Sequence, residues 1–114
     1  MENIQRTILS TVLNIEYIPY VCKDRVIDFL PLDIQLFSKP YMRFFAEKIN
    51  ETHSKGFLPD AITIAATTNI EAMGEGYVQA WFDILSAMPI EFNAFTKYYK
   101  LLQETAKKKI LQGV

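Results

Sequence analysis

Residues 91–111 read EFNAFTKYYKLLQETAKKKIL, and this run decides the fold. Phe95, Tyr99, Leu102, Ala106 and Ile110 recur at steps of three and four, the spacing that lines one face of a helix. A half-buried strand would need alternation with a period of two, which the run lacks. The pattern predicts a long last helix that starts near Glu91 or Asn93 and reaches the end of the chain. Tyr98 and Tyr99 are neighbours in it, and successive side chains of a helix point in different directions, so both rings cannot face the same core.

Further helices follow on working back towards the N-terminus. Pro89 closes a preceding helix whose stripe is Tyr77, Val78, Trp81, Phe82 and Leu85, and Gly74-x-Gly76 punctuates the chain before it. Leu58-Pro59-Asp60 reads as an exposed turn, with Asp60 capping a short helix from Ala61 to Ala66 that fails at Thr67-Thr68-Asn69. Ser38-Lys39-Pro40 reads as a start, serine as cap and proline in the first turn. Tyr41, Phe45 and Ile49 then share a face, and Gly56 ends the helix. Arg25 to Leu36, interrupted by Pro31, predicts a short helix followed by an irregular turn. Glu16 to Lys23 predicts another, with Pro19 in its first turn. Ile4, Ile8 and Val12, widened by Leu9 and Leu13, predict a first helix over residues 3–13 with Asn3 as its cap. The expectation is an all-α, compact bundle of about six helices forming a single domain over residues 1–114, without repeats or low-complexity tracts.

Composition agrees and narrows the function classes. With 114 residues, 50% hydrophobic and 22% charged, the chain has room for one core and no second domain. A net charge of −1 and a pI near 5.8 give no electrostatic basis for wrapping nucleic acid. No run of about 18 apolar residues is present to span a membrane. Four Gly and five Pro exclude collagen-like and disordered classes. Cys22 is the only cysteine and cannot form an internal disulfide; with no signal-peptide pattern at Met1–Ser10, the expectation is a reducing, cytoplasmic location.

Chemistry-bearing patterns are missing. One cysteine and one histidine, His53, cannot build a structural zinc site. Gly74-Glu75-Gly76 runs into Tyr77 with no lysine, so it reads as a turn and not as a phosphate loop. Thr7, Ser10 and Ser86 have no base beside them, and the carboxylates are scattered singly. No catalytic residue, metal ligand or cofactor contact is expected in these residues.

What remains is surface. Six Tyr, eight Phe and one Trp are many rings for a small bundle. Most fill a core, and any surplus marks a partner face, for which Tyr98 and Tyr99 are the candidates. Lys107-Lys108-Lys109 suits a helix C-terminus, and it could also serve as a weak basic patch. The apolar spacing persists to Ile110 and Leu111, close to the end, which suggests that the chain is the N-terminal piece of a longer protein.

In order, these features resemble the N-terminal domain of the bacterial replicative DNA helicase, the DnaB family. The resemblance rests on Asn3-Ile4-Gln5-Arg6-Thr7-Ile8-Leu9-Ser10 and on Asp33 followed by Pro40 and Phe44-Phe45. It continues in Lys55-Gly56-Phe57-Leu58-Pro59-Asp60-Ala61-Ile62-Thr63, and in Met88-Pro89-Ile90-Glu91-Phe92-Asn93 leading to Tyr98, Leu101-Leu102 and Lys108-Lys109-Ile110. It covers Ile4 to Leu111; its specificity lies in order and spacing, not in any one motif. The chain departs from the family pattern at Pro59-Asp60, at Ile34, and in the interval from Asn93 to Tyr98.

The resemblance implies a helical head that contributes to the collar of a hexameric ring and docks the helicase-binding domain of a primase. Tyr98, Tyr99, Leu102, Lys108 and Ile110 would be its partner-binding residues. Primase and other copies of the chain would be its partners. ATP, magnesium and DNA would belong to a RecA-like domain beyond a helical hairpin and linker. The alternatives are the helicase-binding C-terminal domain of a primase, or a stand-alone replication adaptor of the same fold.

Overall fold

The computed structural model describes residues 2–19 and 22–112, for 109–112 the backbone alone. Among the described residues there are six α-helices and no strand: α1 (Glu2–Leu13), α2 (Lys23–Ile27), α3 (Pro40–Ser54), α4 (Ala61–Thr67), α5 (Glu75–Ser86) and α6 (Phe92–Gln112). Two 3-10 turns, Ile34–Leu36 and Glu71–Met73, join them. The all-α bundle read from the sequence is the architecture found.

The core is organised around α1. Every residue from Ile8 to Leu13 is fully buried, so this half of the helix is enclosed on all sides. It packs against α3, α5 and α6. Two of its enclosed residues are polar, and each has its partners, as buried polar groups require. Ser10 donates to the Ala87 carbonyl at 2.6 Å and accepts from the Asn14 amide. Thr11 donates to the Thr7 carbonyl, and its hydroxyl accepts the Ile90 N–H at 3.1 Å. These bonds fasten the segment between α5 and α6 to the central helix.

Helix ends follow local chemistry in part. α3 stops in a Schellman arrangement: Gly56 at φ +86° donates to the His53 carbonyl, and Phe57 to that of Thr52. Asp60 caps α4, accepting the Thr63 N–H at 2.8 Å, and its other oxygen accepts the Tyr17 hydroxyl at 3.1 Å. That second bond draws Asp60 inward, so the expected exposed turn is buried at Pro59 and Asp60. Gly74 at φ +108° turns the chain into α5.

Other expectations are corrected. Asn3 lies inside α1, its side-chain amide oxygen accepting from the Arg6 guanidinium, and is not the cap. The segment after α1 forms turns at residues 14–17, and the next helix begins only at Lys23; Tyr20 and Val21 lie outside the described residues. Ser38 does not cap α3, whose cap residue is Lys39. Both the backbone N–H and the hydroxyl of Ser38 go instead to the Gln5 amide oxygen, at 3.0 and 3.2 Å. Tyr41 leaves the buried face of Phe45 and Ile49 to meet Tyr77 edge-on at 5.1 Å. Between α2 and α3 the expected irregular turn is present, with a cis Leu30–Pro31 peptide. Asn50 of α3 holds this turn: its amide accepts the Leu32 N–H at 2.7 Å and donates to the Leu32 carbonyl at 2.8 Å.

Candidate docking faces

α6 divides into two sides. Its inner side places Phe95, Tyr99 and Leu102 in the core, with Ala106 partly buried behind them. Phe29, from the turn after α2, meets Phe92, Phe95 and Tyr99 edge-on, with centroids 6.2, 5.3 and 4.8 Å away. Edge-to-face geometry at these distances is the favoured arrangement of ring quadrupoles. The Arg25 guanidinium lies 4.1 Å over the Phe92 ring and covers the outer edge of this cluster.

The cluster decides the fate of the two tyrosines. Tyr99 is 5% exposed, and its hydroxyl accepts the Asp33 N–H at 2.9 Å. Tyr98, one step round the helix, is 38% exposed, and Leu101, one turn further along that side, is 39% exposed. Lys97, Lys100, Lys107 and Lys108 share the exposed part of the helix with them.

Of the five residues expected to bind a partner, Tyr98 and Lys108 therefore stand in solvent. Tyr99 and Leu102 are corrected to core positions, because their step along α6 is the one that meets Phe29 and the Asp33 turn. The side chain of Ile110 lies outside the described residues. Leu101 was missed, although its offset of three from Tyr98 put it on the same side.

Burial pushes the Tyr99 phenol above its ordinary value; the Asp33 N–H pulls it partly back, and the Asp33 carboxylate adds to the rise. Above pH about 10 an unfolded tyrosine loses its proton while Tyr99 in the fold retains it. The folded state then binds more protons, and stability falls as pH rises. We expect the urea midpoint to drop across this alkaline range, and to drop less in Tyr99→Phe. Equal alkaline slopes in the two proteins would rule out the phenol as a cause.

A second face lies between α4 and α5. A groove of about 590 Å³ is walled by Ala65, Ala66 and Thr67 and lined further by Ile70, Val78 and Trp81, with Phe82 at its lip. Phe82, expected inside the stripe of α5, is 57% exposed; Trp81 and Ile84 take the core positions instead. The adjacency that separated Tyr98 from Tyr99 also separates Trp81 from Phe82.

Cys22 is exposed at the start of α2, and His53 is partly exposed near the end of α3. Among the described residues no group of three or more His, Cys, Asp or Glu is placed to hold a metal ion. Among the same residues no helix is long and apolar enough to cross a membrane. Gly74 serves the turn, at φ +108°, and Gly76 serves packing, since a Cβ there would sit 2.9 Å from the Tyr41 hydroxyl.

No protein-family model matches the chain, and comparisons with curated proteins and with solved structures find no match.

Proposed function

We propose that this chain is a non-catalytic docking domain of DNA replication, of the kind that heads bacterial replicative helicases, and that it receives the helicase-binding domain of a primase on the outer side of α6. The observation that carries this reading is the division of α6. One side is locked into the core by Phe95, Tyr99 and Leu102, which leaves Tyr98 and Leu101 on a rigid, lysine-flanked surface. An aromatic ring held at low entropic cost on a rigid helix is what interface anchors are made of.

In this reading the chain acts by position and not by chemistry. Copies of it would stand side by side in a collar, in the cytoplasm. ATP, magnesium and DNA would be handled by a RecA-like domain elsewhere in the protein. The order of sequence features from Ile4 to Leu111 supports the helicase kind.

Isothermal titration of the chain with the purified C-terminal domain of its primase tests the reading. Binding is expected, and Tyr98→Ala should weaken it about thirtyfold, equivalent to about 2 kcal/mol, with helicity unchanged. Absence of binding, or an unchanged affinity in Tyr98→Ala, would overturn it.

A further inference from the structure

We infer that the groove between α4 and α5 is a second docking site, and that its partner is a basic amphipathic helix with an apolar ridge flanked by Lys or Arg. This inference is independent of the role given to α6.

Three observations carry it. The first is apolar exposure that the fold does not use. Ile62 is 65% exposed and Phe82 57% exposed. Ile62 precedes Ala65 and Ala66 by three and four residues, so it extends the α4 wall along the same helical face. Large apolar side chains gathered along one groove are a mark of an interaction surface, whereas scattered ones are ordinary.

The second is shape. Ala65 and Ala66 present only methyl groups, so another backbone can come close to α4. Trp81 and Val78 supply a floor between the walls. A twelve-residue helix such as α5 is about 18 Å long, which matches three turns of a helix laid beside it.

The third is charge. Glu71 lines the groove, and Glu75, one turn before Val78 on α5, is also exposed. No Lys or Arg lines it, and the sequence contains none from Gly56 to Thr96, whereas five acidic residues fall in that span. The nearest lysines along the neighbouring α3, Lys48 and Lys55, are both engaged by Glu51, at 3.3 and 3.0 Å. A partner with acidic flanks, or a nucleic acid backbone, would meet only like charge here. A partner with basic flanks would meet the Glu71 carboxylate at the groove, with Glu75 exposed one turn further along the chain.

Trp81 is the only tryptophan of the chain and lines the groove, so its emission reports occupancy. The probe is a tryptophan-free, end-capped peptide of about 14 residues, long enough for three to four turns, with a leucine ridge at helical spacing and lysine elsewhere. Its control carries glutamate in place of lysine. Peptide labelled with fluorescein supplies an anisotropy readout that does not depend on Trp81.

The lysine peptide is expected to bind saturably, with a shift in Trp81 emission, and to weaken with added salt. The glutamate peptide is expected not to bind. Phe82→Ala should cost at least about tenfold in affinity while leaving helicity intact, since the ring is exposed. Glu71→Lys combined with Glu75→Lys should reverse the preference between the two peptides. Equal binding of both peptides by the native chain, an unmoved Trp81, or unaltered affinity in Phe82→Ala would overturn the inference. So would a Trp81 shift produced by raising the concentration of the chain alone and lost in Phe82→Ala. That result would make the basic, apolar side of α6 from a second copy the occupant, in place of a separate partner.

Discussion

Phe95→Ala is expected to remove about 3–5 kcal/mol of stability, the cost of emptying a fully enclosed aromatic site. The ring is wholly buried and touches Phe29, Phe92 and Tyr99, so its loss opens a cavity where α6 meets the Phe29 turn. Small domains hold only about 5–15 kcal/mol in total, so the variant should be marginal at room temperature. Urea denaturation followed by far-ultraviolet circular dichroism measures it. Tyr98→Ala, three residues along the same helix but on the outer side, should stay within about 0.5 kcal/mol of the native chain. The pair therefore separates the inner from the outer side of α6. A loss below about 1 kcal/mol in Phe95→Ala would mean that α6 is not docked through this cluster.

Asn50→Leu is the second large effect. The Asn50 side chain pairs with both backbone groups of Leu32, and Leu32 is itself buried. Leucine has nearly the same size but can neither donate nor accept, so the Leu32 N–H and carbonyl would lose their partners. Each orphaned buried group costs about 1–3 kcal/mol, giving roughly 3 kcal/mol or more for the two. Denaturation gives the total, and amide exchange at Leu32 localises it. Faster exchange at Leu32, with α1 and α6 still protected, is the expected signature. Unchanged exchange there would show that the turn is held by something other than Asn50.

Both effects bear on what the sequence could and could not disclose. Repeating spacing made α3, α5 and α6 legible to within a residue or two, and the chemistry of Asp60 and Gly56 marked two ends correctly. Spacing is a local signal, however, and Asn50, Gln5, Ser10 and Thr11 all act on backbone far away in the chain. Ser38 shows the consequence. It has the chemistry of a helix cap, but Gln5 of α1 takes both its hydroxyl and its N–H, and α3 begins without it.

The candidate docking residues divided for a related reason. That one of Tyr98 and Tyr99 must face out was legible from their adjacency. Which one turned inward depended on Phe29 and on the Asp33 N–H, neither of which is near them in sequence. The α4–α5 groove was hidden because Phe82 belongs to an apolar stripe when read alone, and only the position of Trp81 against α3, 5.1 Å from the Phe45 ring, assigns it to the outside.

The bonds from Ser10 to the Ala87 carbonyl and from Thr11 to the Ile90 N–H have a mechanical meaning as well. They join the root of α6 directly to the helix at the centre of the bundle. Tension applied by a partner at the far end of α6 would run down its axis into this joint and reach α1 through these two bonds as well as through the packing of α6 against it. Arg25 of α2 braces the same root from the other direction, 4.1 Å over the Phe92 ring, so a pull along α6 would be shared between α1 and α2.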